Sequence, residues 1–178
     1  MHQLATKTGS LAMQAVMPSA VAEIQQYLSF VVGGEIYALG ILDVKEIIEY
    51  SSVTRVPMMP ATIRGIINLR GKVVPVIDLG VRFSNIPTEP SRRTCIVIVE
   101  VETENNMRHD MGVMVEAVNE VLDISQESIE PAPAFGSAVR ADFIRGMGRV
   151  ADRFVILLDV KKVLSVDELA QIQTLTAG

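Results

Sequence analysis

The feature that most constrains this chain is an internal repeat. Ile63-Arg64-Gly65 recurs as Ile144-Arg145-Gly146 at an offset of 81, and at the same offset Val74 falls on Val155 and Asp78 on Asp159. Val44-Lys-Glu-Ile-Ile48 resembles Val118-Asn-Glu-Val-Leu122 at an offset of 74. Two offsets that keep one order, with the difference absorbed in loops, indicate a duplicated unit of about 80 residues, and a fold built twice.

What each unit builds follows from its residues. Hydrophobic residues make up 49% of the 178, yet aromatics are only 4% and Trp is absent. The core is therefore aliphatic, and its β-branched share favours strands. Tyr27 to Val32 and Glu35 to Leu39 flank Gly33-Gly34, a pair that supplies the positive φ angles of a tight hairpin. Ile41 to Tyr50 places apolar residues at Ile41, Val44, Ile47 and Ile48, a spacing open to a helical turn or a strand. Pro57 and Pro60 bound a loop, after which Ile63 to Leu69 and Lys72 to Leu79 form strands about a sharp Arg70-Gly71 turn. Pro75 then has to sit at an edge or a bulge. With about five short strands in each unit, closure removes exposed edges, so an all-β chain of two small barrels packed side by side is expected. Ser165-Val-Asp-Glu168 has capping-box spacing, and Leu169, Ile172 and Gln173 continue at helical intervals, which predicts a short C-terminal helix over 166–178. Residues 1–26 lack strand alternation and read as a flexible tail, leaving 27–165 as the domain.

Several function classes drop out. The net charge is −5 and no run of Lys or Arg exceeds two residues, so the chain carries no continuous footprint for nucleic acid. The apolar stretch Leu11 to Ala20 is broken by Gln14 and preceded by one fixed cation, Lys7, which is not a secretory signal. No apolar run approaches the roughly 20 residues of a membrane span. Cys95 is the single cysteine, forms no internal disulfide, and suits a reducing, cytoplasmic setting as a small buried hydrophobe.

Catalytic and metal chemistry find little to stand on. The two histidines, His2 and His109, are far apart and have no zinc-ligand spacing. Asp78 and Asp159 occupy equivalent repeat positions and could form a carboxylate pair, but each ends a strand and reads more simply as the cap of the turn that follows. Gly146-Met-Gly148 lacks the third glycine of a dinucleotide loop. No cofactor is called for. One polar concentration remains unexplained, Asn68, Arg70 and Lys72 around Gly71. It is either a solvated hairpin tip or a charged fork that meets carboxylates on a partner.

The same segment carries a resemblance. Gly65-Ile-Ile-Asn-Leu-Arg-Gly71-Lys-Val-Val-Pro-Val-Ile-Asp-Leu79 closely resembles the signature of the CheW-like domain family, and similar segments continue through Phe30 to Ile48, Gly112 to Val121, Ile129 to Phe135 and Ile144 to Leu158. The resemblance implies two intertwined five-stranded SH3-like barrels and a non-catalytic adaptor. It implies two partners, the cytoplasmic tip of chemoreceptors and the regulatory domain of the histidine kinase CheA. The family's partner-contact positions fall on Val44, Glu46, Gly65 and Arg70, with Asn68 and Leu69 in the same motif. An apolar strip between the barrels would receive the receptor's helical hairpin, and Arg70 and Glu46 would set register at its rim. A relative serving another chemosensory or pilus-motility pathway is the alternative of the same fold. A CheV-like protein would need a phospho-acceptor domain beyond Gly178, and an enzyme would need Asp78 and Asp159 facing one cleft.

Overall fold

The computed structural model describes residues 23–103, 105–132 and 141–164. In chain order these form β1 (Ile24–Val32), β2 (Glu35–Gly40), β3 (Val44–Glu49), β4 (Ile63–Leu69), β5 (Lys72–Asp78), α1 (Leu79–Ser84), β6 (Cys95–Glu102), β7 (Arg108–Val115), β8 (Ala117–Ser125), β9 (Ile129–Glu130), β10 (Ile144–Val150), β11 (Arg153–Leu158) and α2 (Val160–Val163). The strands make a six-stranded sheet, β8-β1-β2-β11-β10-β9, and a five-stranded sheet, β3-β6-β7-β5-β4.

These orders are the same order written twice, with the repeats exchanged. Hairpin β1–β2 of the first unit sits among the strands of the second, and hairpin β6–β7 of the second sits among those of the first. A 3-10 turn at Ile41–Asp43 carries the chain from one sheet to the other, and the single residue Glu116 carries it back. The expectation of five strands on each side needs one correction. The six-stranded sheet gains the two-residue β9, whose counterpart in the five-stranded sheet shrinks to an isolated bridge between Thr54 and Ile66.

Each sheet contributes to two hydrophobic clusters. Leu28, Phe30 and Leu39 of one sheet meet Val97, Val99 and Val113 of the other in the core between them. Inside the six-stranded sheet, Ile124 of β8 and Ile129 of β9 share a cluster with Tyr27 and Leu157 although their strands are at opposite ends of the sheet order. Inside the five-stranded sheet, Ile48 of β3 and Ile67 of β4 do the same around Val74, Ile96 and Ile98. End strands that share a core require each sheet to curl into a barrel.

Local chemistry explains most element boundaries. Gly33 and Gly34 take φ values of 58° and 80°, the left-handed pair of the expected hairpin turn. The segment left open between helix and strand is both in succession, the 3-10 turn at Ile41–Asp43 and then β3. Pro75 pairs with Ile66 of β4 and lies one residue before the parallel ladder of β5 with β7, which starts at Val76, so only its β7 side is a local edge. Asp78, the last residue of β5, and Asp159, the first after β11, each cap the following helix, accepting from the backbone N–H of Gly80 and of Lys161. Leu79, expected as strand, is the first residue of α1.

The tail boundary also moves. Ile24, Gln25 and Gln26 pair with Ser125, Ile124 and Asp123 of β8, so β1 begins three residues before Tyr27. All three side chains are exposed, so ladder hydrogen bonds rather than burial define this strand end. Residues 1–22, the expected C-terminal helix, and Pro133 to Phe135 lie outside the described residues. Among the described residues no helix is long and apolar enough to cross a membrane.

Candidate functional site

The site begins at the turn between β4 and β5. Arg70 and Gly71 take φ values of 53° and 85°, and the Gly71 N–H donates to Asn68 Oδ1 at 2.8 Å, which locks the bend from the side-chain direction. That geometry throws the Arg70 guanidinium across the mouth of the five-stranded barrel. Its Nη1 donates to Glu46 Oε1 and its Nη2 to Glu46 Oε2, both at 2.7 Å, a parallel two-bond fork. β3 and β4 are the two outer strands of this sheet, so the pair joins its ends. The hydrogen bonds from Arg70 hold the Glu46 carboxyl below the usual carboxylate range, and Glu46 in turn raises the pKa of Arg70. Arg70 keeps 72% of its side chain exposed while Glu46 keeps 25%, so the cation is the more accessible half.

A line of further charges runs beside the fork. Lys45 Nζ donates to Asp110 Oδ1 at 3.0 Å and lies 3.8 Å from Glu100 Oε2, and Arg108 Nη1 lies 3.4 Å from Glu100 Oε1. The Asp110 hydrogen bond raises the pKa of Lys45, and the Asp110 charge acts on Arg70 as well. Exposed apolar side chains flank these charges: Leu42 in the turn before β3, Ile47 next to Glu46, and Val73 opposite Asn68.

The six expected contact residues fall into three groups. Glu46 and Arg70 are brought into direct contact, with Asn68 holding the turn that presents Arg70. Val44 and Leu69 are half-buried on the same two strands, Val44 against the core between the sheets and Leu69 against the barrel interior. Gly65 is buried near the other end of β4. Its φ is 153°, and a Cβ built there would run into the Thr54 carbonyl oxygen and lie 2.8 Å from Val53 Cγ1. The Thr54–Ile66 bridge, with N···O distances of 2.9 and 2.8 Å, presses that segment onto it. Gly146 repeats the device, since a Cβ there would lie 2.7 Å from Ile129 Cγ2 of β9. Reading single residues missed Lys45, Glu100, Arg108 and Asp110, because their relation depends on pairing β3, β6 and β7 across the chain.

Residues that could have pointed to chemistry are otherwise engaged. Asp78 is fully buried and accepts from Gly80 N at 2.9 Å, Thr88 N at 2.9 Å and Thr88 Oγ1 at 2.6 Å, with Arg64 Nη1 at 3.5 Å. A carboxylate so enclosed is a structural hub. Cys95 is half-buried, and burial pushes its thiol upward, which disfavours the reactive thiolate. Among the described residues no group of three or more His, Cys, Asp or Glu could hold a metal ion.

Known proteins share this architecture. The CheW-like domain family model matches residues 26–168. The chemotaxis protein CheW of Klebsiella aerogenes is 36% identical over 146 residues, covering 82% of this chain and 85% of that protein. The chemotaxis protein CheW of Treponema pallidum is 30% identical over 164 residues, covering 89% and 94%. The crystal structure of the scaffolding protein TtCheW from Thermoanaerobacter tengcongensis superposes with a TM-score of 0.72 at 34% identity, covering 82% of this chain and 91% of that one. The chain is a member of the CheW-like domain family.

Proposed function

We propose that this chain is a non-catalytic adaptor of chemotaxis signalling that binds the cytoplasmic tip of chemoreceptors and the regulatory domain of the kinase CheA, holding both in one array. The observation that carries the reading is the family match across 26–168, within which the motif's charged positions meet as one exposed fork, Arg70 on Glu46. Such an arrangement suits recognition: a fixed, always-charged guanidinium beside exposed apolar side chains offers register to a helical partner and area to its apolar face. Val44, Glu46, Asn68, Leu69 and Arg70 form the receptor-facing surface, and Gly65 shapes the strand beneath it. The chain works in the cytoplasm and reaches the membrane through its partners.

The experiment is a pull-down of the full chain against a receptor cytoplasmic fragment and the CheA regulatory domain. Retention of both is expected. Retention of neither contradicts the assignment.

A further inference from the structure

A second cleft lies away from the Arg70–Glu46 fork, where the two sheets meet. Its walls are the β1–β2 turn with Glu35, the junction residue Glu116, and α1 with the loop that follows it, and its volume is about 670 Å³. Arg93 in its wall adjoins the start of β6, about 10 Å along that strand from Ile98, the residue opposite Glu46. The cleft is an independent place on the molecule.

Its chemistry is unbalanced. Glu35, Glu89 and Glu116 line it against one cation, Arg93, and among the described residues none of the three carboxylates is in an ion pair. Glu116 Oε1 accepts from the Gly33 N–H at 2.6 Å. Tyr37 also lines the cleft and is only 3% exposed, yet no described residue hydrogen-bonds its hydroxyl. Native structures rarely leave a buried hydroxyl without a partner. Glu35 and Tyr37 stand two apart on β2 and so share a face, which turns the phenol toward the acidic wall. Phe83, its ring centroid 4.9 Å from that of Tyr37, adds an aromatic surface, and Val31, Ile86 and Ala117 add apolar lining. Burial and the Glu35 charge both raise the Tyr37 pKa, so the phenol stays protonated at neutral pH.

We propose that this cleft binds an alkylammonium group, its aliphatic stem on Phe83 and the apolar lining and its charged head among Glu35, Glu89, Glu116 and the Tyr37 hydroxyl. Unpaired carboxylates attract the charge, the aromatic face adds cation–π attraction, and an ammonium N–H satisfies the phenol oxygen. The volume fits a small ligand.

The test is methyl NMR of the full chain titrated with 1,5-diaminopentane, with n-butanol as the uncharged control and an acetyl-Gly-Lys-Gly-amide peptide as the polypeptide source. Saturable shifts at Val31, Val32, Ile86 and Ala117 with the diamine and not with butanol are expected. Tyr37→Phe and Glu116→Gln should each weaken binding about tenfold, which is the loss of one charge-assisted contact. Tyr37→Phe should leave Tm unchanged, because the hydroxyl has no partner among the described residues to lose, whereas a structural role would lower it. A peptide that binds as well as the diamine assigns the site to a partner's lysine, and binding by the diamine alone assigns it to a free amine. Equal shifts with butanol, shifts that never saturate, or unaltered binding by both variants overturn the proposal.

Discussion

Arg70 and Glu46 close the mouth of the five-stranded barrel by joining its first and last strands through two parallel hydrogen bonds of 2.7 Å. The arginine whose sequence reading stayed open between a solvated hairpin tip and a fork for partner carboxylates is already held within its own chain. A pre-positioned guanidinium loses less freedom when a partner arrives, and 72% of its side chain stays open to meet one.

The pair can be reversed to separate its two roles. Arg70→Glu places a third carboxylate beside Glu46 and Asp110, and because the fork is exposed the melting temperature should fall by only a few degrees. Combining it with Glu46→Arg rebuilds the internal pair and should recover that loss. Receptor binding should remain lost in the double variant, since the partner now meets inverted charge. Thermal unfolding and receptor binding measured on the same samples check both halves.

The fork also predicts a pH dependence. Arg70 holds the folded-state pKa of Glu46 below its unfolded value, so the pair's contribution is present above the unfolded pKa and is lost as pH falls through the folded one. Wild type should therefore be more stable than Glu46→Gln at pH 7, and the gap should close as pH drops below about 4. Denaturation curves at a series of pH values read it directly.

Gly65 acts through the fold. Gly65→Ala should destabilise by about 1–3 kcal/mol, because a Cβ there collides with the Thr54 carbonyl and the φ of 153° is strained for any side chain. Gly65→Asp should cost more. The Thr54–Ile66 bridge is the first contact to loosen, so amide exchange at Ile66 should rise in the Ala variant.

The two capping aspartates should part company. Asp78→Ala removes a fully buried carboxylate with several donors, Arg64 among them, and should cost about 3–5 kcal/mol. Asp159→Ala removes a partly exposed cap and should cost about 0.5–2 kcal/mol. Urea unfolding of both variants tests the asymmetry between equivalent repeat positions.

How far the chain could be read from its residues follows the range of the physics. Gly33-Gly34 and Arg70-Gly71 announce their hairpins because a two-residue turn is a local demand on φ. The repeat announces two matching halves through Ile63-Arg-Gly65 and its copy. Residue spacing alone does not reveal the exchange of hairpins, since Leu28 of β1 finds Val121 of β8 only in the folded chain. In the site, Arg70 stands out as a long cation at a turn, and Glu46 came forward only through the family motif. The Lys45–Asp110 pair was invisible because it spans β3 and β7 with β6 between them.

The most direct measurement of the adaptor reading is assembly of three components followed by gel filtration: the full chain, a receptor cytoplasmic fragment and the CheA regulatory domain. Wild type should carry both partners into one complex, and Arg70→Glu should release the receptor while keeping the kinase domain, a loss of a hundredfold or more in receptor affinity. A folded Arg70→Glu variant that still carries both partners at wild-type affinity would contradict the account.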